Sequence, residues 1–449
     1  MGAVPILATV LFVAIALALI YRFGREEGYY STISIFALGC FVYYVAIPFD
    51  LSVRHLLGEG NPSGFAVSLT DNQLAGVIAM AALALVAWVA GYLVSGFRPW
   101  QSPDKEPSDQ DTRVPTSLFV LFAIALAVLL PLLFFGHLLQ QLRDYATQGT
   151  LAVYDNPILA VLLAACYVPL AVIGGTWLRV PRRRPASLGI AIALSVGSVI
   201  TNRKEAISLA FLMIASPLSR WRLKLLQATG ILIVAVTVGL LAFNAYSVHR
   251  GNGQLTFQRV LAPSYGLVEG SDAGGPFVSI QYVFGAHPKP TYGSSYLDIG
   301  ILLVPKFIWP GRPLDLAERF AQEHIPNWVP GRGTGFSLLA EAYLNFGVLG
   351  VLFQYAVLGW AWGAFWKLAR RLLAEYSTVA WQVTYSTLGF FTLLTMHRGT
   401  VATGFKTFLV MVVPLIVASL LIDRGLRIYR SGSGQRSVLE TVRQVFTWS

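Results

Sequence analysis

One stretch of the chain brings together residue types that suit the binding of an anion. It runs from residue 330 to residue 350 and begins as a glycine-rich loop that carries Arg332. Thr334 and Ser337 are good helix N-caps, and an apolar segment carrying Glu341 follows them. A glycine-rich turn at a helix start offers backbone N–H groups and a positive dipole end to an anion. The simpler alternative is a capped helix whose loop is anchored by an Arg332–Glu341 ion pair.

The composition is that of an integral membrane protein. Of the 449 residues, 55% are hydrophobic and only 12% are charged, and the mean hydropathy is +0.62. Soluble domains carry about 25% charged residues, so the chain is predicted to be an all-α, polytopic membrane protein. Cys40 and Cys166 both lie in apolar runs, which argues against a disulfide framework. The first apolar run lacks a basic n-region and a cleavage site and is predicted to be a span.

Apolar runs near 20 residues predict about eleven transmembrane helices. They lie at 3–21, 32–48, 74–96, 116–137, 158–178, 186–201, 205–218, 226–247, 338–366, 379–396 and 403–422. By the positive-inside rule the strongly basic loops are cytoplasmic, the N-terminus is outside and the C-terminus is inside. The outer segments are then 49–73, 138–157, 202–204, 248–337 and 397–402. Because most of the net charge of +11 lies at the ends of spans, it indicates topology and not a nucleic-acid partner.

In chain order the sequence divides into three parts. Residues 1–247 hold the N-terminal transmembrane helices, 248–337 form one large outer loop, and 338–449 hold the C-terminal helices and a basic tail. The sequence contains no Walker motif. Within the loop, Tyr296–Ile308 is apolar but too short to span and predicts an interfacial element. Leu314–His324 predicts a short amphipathic helix.

Arginines are expected at the outer membrane boundary in four separate chain regions. Arg203 follows a short span whose return leg is roughly 24–26 Å long, so it should lie slightly below the outer surface. The other three are Arg250, beside His249, Arg332, and Arg398, beside His397. Guanidinium groups bind phosphate bidentately, so the cluster predicts a lipid-linked phosphate or pyrophosphate ligand. For each arginine alone, snorkelling or structural pairing stays the alternative.

The titratable residues do not indicate a metal site. The six histidines have no metal-ligand spacing. The one Asp-x-Asp pair, Asp109 and Asp111, lies in a predicted cytoplasmic linker, on the wrong side for the arginine cluster. A metal-independent mechanism without a cofactor is therefore expected.

Three features together resemble a known family: Arg203 between two short spans, the large outer loop, and the segment 331–350. The chain resembles the repeat-unit polymerases of bacterial surface polysaccharides, the Wzy-type O-antigen polymerases, which are related to the O-antigen ligases of the GT-C superfamily. The likeness covers about residues 116–422 and is sharpest in 335–347, Gly-Phe-Ser-Leu-Leu-Ala-Glu-Ala-Tyr-Leu-Asn-Phe-Gly. Ligases commonly have a histidine where Phe336 and Ser337 stand here, and this departure favours a polymerase.

The resemblance implies a GT-C-like glycosyltransferase in the bacterial inner membrane, with its active site facing the periplasm. The donor would be a polyprenyl-pyrophosphate-linked oligosaccharide, and the acceptor the non-reducing end of another lipid-linked unit. Membrane lipids and a chain-length-regulating co-polymerase are further candidate partners, and no nucleic acid is expected. A ligase with a lipid A core acceptor is the alternative within this class. A polysaccharide or lipid flippase is the alternative from another class, although the sequence has no internal repeat of the kind that transporters have.

Candidate roles follow from what such a transfer needs, which is charge stabilisation of the pyrophosphate and a base for the acceptor hydroxyl. Glu341 is the leading candidate for the base or for a base-orienting group, and His249 is the second. The pyrophosphate-binding candidates are Arg203, Arg250, Arg332 and Arg398. Further candidates are Lys204, Tyr343, Glu323 and His324.

The alternation of basic and non-basic loops generates a topology prediction. Reporter fusions after Gly270 and after Gly432 should report opposite sides of the membrane, outside for the first and inside for the second. The same side for both fusions would contradict the predicted number of spans.

Overall fold

The computed structural model of the chain is all-helical in the part that it describes. That part comprises residues 3–27, 32–58, 69–96, 157–200, 209–210, 213, 274–304, 308–324, 335–372, 383–384, 387 and 396–409. In it we number the α-helices α1 (Ala3–Glu27), α2 (Thr32–Cys40), α3 (Ala46–Leu56), α4 (Asp71–Val94), α5 (Pro157–Leu178), α6 (Arg184–Ile200), α7 (Gly274–Ala286), α8 (Asp298–Leu303), α9 (Leu316–His324), α10 (Leu338–Leu372) and α11 (401–409). The predicted all-α class is confirmed there.

Several of these helices are long and apolar enough to cross a membrane. Four candidate spans lie in the described residues, at Ala3–Phe23, Thr32–Leu56, Asp71–Val94 and Leu338–Ala369. The chain is thus a multi-pass membrane protein. Helices α5 and α6 also form where spans were predicted. The expected spans at 116–137 and 226–247, and most of those at 205–218, 379–396 and 403–422, lie outside the described residues, so the total of eleven stays a prediction.

The chain divides into two compact units. The first comprises residues 1–101, 219–366 and 392–407, and the second comprises 102–218, 367–391 and 408–449. In the second unit, α5 packs against α6 across a short 3₁₀ turn, Pro181–Arg183. In the first unit, a π-helical turn, Phe41–Val45, joins α2 to α3, and α1 packs along α4. The division into parts 1–247, 248–337 and 338–449 is not tested by these units and stays a prediction.

Helix α10 is a hairpin of two arms and not one straight rod. Phe346 and Gly347 have non-helical backbone angles and separate a first arm, residues 338–345, from a second arm, residues 348–372. The Gln354 side chain donates a hydrogen bond to the Leu338 carbonyl oxygen at 3.2 Å. In a continuous helix these residues would lie roughly 24 Å apart, so the arms run antiparallel. The single span predicted over 338–366 is therefore divided, and only the second arm is long enough to cross a membrane.

The second arm packs against α4 through glycines. A side chain on Gly91 would overlap the Ala356 carbonyl oxygen, and one on Gly359 would overlap the Trp88 carbonyl oxygen. Gly363, one turn beyond Gly359, lies equally close to Ser95. Small residues at four-residue spacing let two membrane helices approach until their backbones touch. This close approach fixes α10 on the core built by the first four helices.

Adding a methyl group at this contact should loosen it. Gly359→Ala places a Cβ against the Trp88 carbonyl, and overpacking of this kind costs about 1–3 kcal/mol. We expect a lower melting temperature in detergent. Gly76→Ala, on α4 where a Cβ meets nothing within 4 Å, is the control and should melt as the wild type does. Equal melting temperatures for the two variants would contradict the close helix contact.

Candidate functional site

The described residues of the predicted outer loop, 274–304 and 308–324, form short helices that precede the α10 hairpin. Its predicted amphipathic segment is confirmed as α9, and the apolar segment before it forms a 3₁₀ turn and the short helix α8. The Asp298 carboxylate accepts hydrogen bonds from the Leu316 backbone N–H at 2.7 Å and from the Arg319 guanidinium at 3.1 Å. This buried carboxylate, on the first residue of α8, therefore ties α8 to the start of α9.

Ser337 caps the first arm of α10, as the sequence predicts. Its hydroxyl oxygen accepts from the backbone N–H groups of Leu339 at 3.2 Å and Ala340 at 3.4 Å. Its own N–H donates to the Ser279 hydroxyl at 2.9 Å. These amides are thus used within the protein.

Glu341 lies in the first turn of α10 and is completely buried, with 0% of its surface exposed. One carboxylate oxygen accepts from the Ser295 hydroxyl at 2.9 Å. The other accepts from the Val401 backbone N–H at 2.6 Å. Because a buried charge is costly unless hydrogen-bonded, these contacts hold Ser295 and the start of α11 against α10.

Asn345 extends this network one turn along α10. Its amide oxygen accepts from the Thr291 hydroxyl at 2.6 Å and from the Gly293 N–H at 2.8 Å. Its amide nitrogen donates to the Ser295 hydroxyl at 2.9 Å. The four-residue spacing from Glu341 places both polar side chains on one face of the helix, so a single face of the first arm binds the whole turn 291–295.

Tyr296 joins the same turn to the second arm. Its hydroxyl donates to the Gln354 side-chain oxygen at 2.6 Å. Burial, and to a lesser extent the nearby charge of Glu341, raise the pKa of the Tyr296 hydroxyl to about 12. The tyrosine is therefore a neutral hydrogen-bond donor in this site at any physiological pH.

Arg398 lies half-buried in a turn, residues 396–400, that we call the Arg398 turn. A Cβ on Gly335, whose φ is +77°, would lie 2.8 Å from the Arg398 carbonyl oxygen, so the end of the glycine-rich loop touches this turn. The neighbouring His397 is fully buried, and its Nδ1 lies 2.9 Å from the Tyr44 hydroxyl. The structure thus places Gly335, at the end of the glycine-rich segment, against Arg398.

An aromatic cluster lies next to the glycine-rich loop. The His324 ring packs against Tyr282 with centroids 4.4 Å apart and against Phe320 at 4.6 Å. Phe320 in turn packs against Phe336 at 5.3 Å. Because Phe336 follows Gly335 directly, the cluster connects α7 and α9 to the Arg398 turn.

The remaining candidates have different positions. Glu323 is exposed, with its carboxylate 4.0 Å from the His324 ring. Tyr343 stacks on Phe284 at 4.4 Å. The candidates Arg203, Lys204, His249, Arg250 and Arg332 all lie outside the described residues. In the described ranges no three His, Cys, Asp or Glu side chains are grouped as metal ligands, and metal independence stays a prediction.

The same region of the chain matches a known family. Residues 317–426 match the family model of the O-antigen polysaccharide polymerase Wzy. The predicted resemblance is confirmed over this region. The Wzy region includes most of α9, the α10 hairpin, the Arg398 turn and α11, and therefore Glu341 and Arg398. No curated protein and no solved structure shows significant similarity to the chain.

Some residues of the candidate site were not found from the sequence. Ser295 and Tyr44 are polar groups in apolar surroundings, and no spacing relates them to Glu341 or His397. Asn345 had a signal, since it lies four residues after Glu341 and so on the same helix face. Tyr44 lies in the π-helical turn, and such turns often mark functional sites.

The contact between Gly335 and the Arg398 turn should tolerate no side chain. Gly335→Ala adds both left-handed backbone strain and a collision with the Arg398 carbonyl, so we expect lower polymer formation and a lower melting temperature. Gly58→Ala is the control, because Gly58 has a similar φ of +72° but a Cβ there meets nothing within 4 Å. Equal loss in both variants would mean that the strain matters and the contact does not.

Proposed function

We propose that the chain polymerises polyprenyl-pyrophosphate-linked oligosaccharide repeat units at the periplasmic face of the inner membrane. The observation that carries this proposal is that the Wzy match includes the α10 hairpin and the Arg398 turn. The four candidate membrane spans support a lipid-linked substrate. A ligase that uses a lipid A core acceptor and a flippase are the competing functions.

In the proposed reaction an acceptor hydroxyl oxygen attacks the anomeric carbon of the donor glycan. The new carbon–oxygen bond forms as the bond to the pyrophosphate oxygen breaks, and the electron pair leaves with the polyprenyl pyrophosphate. Arginines stabilise this developing negative charge by charge-assisted hydrogen bonds. Arg398 is the candidate with a described position. Arg203, Arg250 and Arg332, with Lys204 in support, stay proposed contacts of the same pyrophosphate.

The proton of the acceptor hydroxyl needs a base, and the geometry favours His324 over Glu341 for this role. The His324 Nδ1 lies 3.1 Å from the Phe320 carbonyl oxygen. Because a carbonyl can only accept, Nδ1 carries the hydrogen and Nε2 is left as the basic atom. The ring is also exposed, whereas Glu341 is buried with both oxygens hydrogen-bonded. Glu341 and His249 stay alternative bases.

Elongation of the substrate separates the proposed function from its rivals. Purified protein in detergent should join lipid-linked repeat units into longer lipid-linked chains without a membrane gradient, and it should do so in EDTA. Product length on a gel is the measurement. Transfer only to a lipid A core would favour a ligase. In sealed vesicles, movement of the substrate with no change in its length would favour a flippase, and loss of activity in EDTA that Mg²⁺ restores would contradict metal independence.

His324→Asn should abolish most of the elongation. The asparagine amide can replace the Nδ1–H donor but supplies no base, and loss of a general base typically lowers the rate by about 10²–10⁴. Binding of a polyprenyl diphosphate should be unchanged. His287→Asn is the matched control, since His287 is exposed and its φ of +48° suits asparagine. Added imidazole should restore part of the activity of His324→Ala, and normal elongation by His324→Asn would exclude this base.

A further inference from the structure

Buried hydrogen bonds hold the Arg398 turn on the side of His397. The Tyr44 hydroxyl lies 2.9 Å from His397 Nδ1 and donates to the His397 carbonyl oxygen at 3.3 Å. The Tyr355 hydroxyl donates to the Tyr44 hydroxyl at 3.1 Å. A phenol hydroxyl has one hydrogen to donate and two lone pairs that accept. The Tyr44 hydroxyl uses all three when it donates to the His397 carbonyl and accepts from His397 Nδ1–H and from the Tyr355 hydroxyl. Tyr44 thus fixes both the ring and the backbone of the residue before Arg398.

A second set of contacts holds the other side of the turn. Glu341 accepts from the Val401 N–H at 2.6 Å, which is the first helical N–H of α11. A carboxylate at this place is favoured by the helix dipole. Thr400 caps the same helix by accepting from the Thr403 N–H at 3.2 Å. His397, one residue before Arg398, and Val401, three residues after it, are therefore both hydrogen-bonded to buried side chains.

Gly335 closes the third side. It packs on the carbonyl of Arg398 itself, where a Cβ would lie 2.8 Å from the oxygen. Tyr44 comes from the π-helical turn between α2 and α3 and is distant in the sequence from Gly335 and Glu341, which lie just before and within α10. A phosphate-binding arginine is effective only when its backbone is held in place, because a displacement of about 1 Å can cost roughly a hundredfold in rate.

We propose that Glu341 and Tyr44 are positioning residues, which act by holding Arg398 where it binds the diphosphate of the lipid-linked donor. This proposal rests on the proposed function. It gives Glu341 a role in donor binding and not in proton transfer. It also assigns a role to Tyr44, which lies about 270 residues before the Wzy region.

Substitutions of Glu341 separate positioning from base catalysis. In Glu341→Gln the amide oxygen can still accept from the Val401 N–H while the amide nitrogen faces Ser295, so binding of a polyprenyl diphosphate and elongation should stay within about threefold of the wild type. Glu341→Ala removes the contact and should weaken binding by about tenfold, a coupling typical of residues in one network. If Glu341 were the base, Glu341→Gln and Glu341→Ala would be equally inactive and would both bind the polyprenyl diphosphate normally. That result would overturn the proposal.

A double-mutant cycle with Arg398 tests whether the effect passes through this residue. Arg398→Ala should weaken polyprenyl diphosphate binding by about 10–100-fold, the value of a charge-assisted contact. Tyr44→Phe should weaken it about threefold to tenfold in the wild-type background. In the Arg398→Ala background neither Tyr44→Phe nor Glu341→Ala should weaken binding further. Ser52→Ala, which loses a buried hydroxyl that donates within α3 to the Pro48 carbonyl oxygen, should bind as the wild type does.

The remaining outcomes are also decisive. Equal effects of Tyr44→Phe in both backgrounds, together with a fall in melting temperature, would mean a general loss of packing and would overturn positioning. Normal binding by Arg398→Ala would remove the assignment of Arg398 and the positioning proposal with it. Elongation by the wild type would still stand in that case, so failure of this inference is distinguishable from failure of the proposed function. Should Glu341→Ala not fold, Glu341→Gln and Tyr44→Phe decide the question.

Discussion

A completely buried carboxylate requires its own hydrogen-bond donors, and much of the first unit is arranged around this requirement. Glu341 has 0% exposure in an apolar helix. Left without hydrogen-bond partners, this group would lose its charge or cost a large part of a protein's net stability. Ser295 and Val401 supply the donors. Since they lie 46 and 60 residues away along the chain, the requirement of one side chain binds the turn 291–295 and α11 to α10.

The break in α10 likewise requires hydrogen-bond partners, here for backbone carbonyl groups. A helix that ends inside a membrane protein leaves carbonyls without intrahelical partners, and these must be satisfied by protein groups. The Leu344 carbonyl accepts from the Thr291 N–H at 3.1 Å, just before the break at Phe346 and Gly347. The turn 291–295 therefore serves both the side chain of Asn345 and the freed backbone. The interruption lies inside the Wzy region.

Phosphate chemistry explains why such rigidity is useful next to an arginine. The leaving group of the proposed reaction is a pyrophosphate, so the protein must mainly stabilise charge and hold the reactants in position. Hydrogen-bond donors are most effective when they are already oriented before the charge develops. A turn held by Tyr44, Glu341 and Gly335 meets this condition.

The sequence by itself determined the membrane class, the helical class, the Ser337 cap and the amphipathic helix α9. Hydropathy, periodicity and capping are properties of neighbouring residues, which is why they can be read locally. Arg398 and the glycine-rich loop were also expected to converge, because both were predicted at the outer boundary. The tertiary structure decided that α10 folds back on itself, since a break of two residues leaves the hydropathy of the run unchanged. It also decided the partners of Glu341, His397 and His324, because those contacts depend on how segments up to about 350 residues apart pack together.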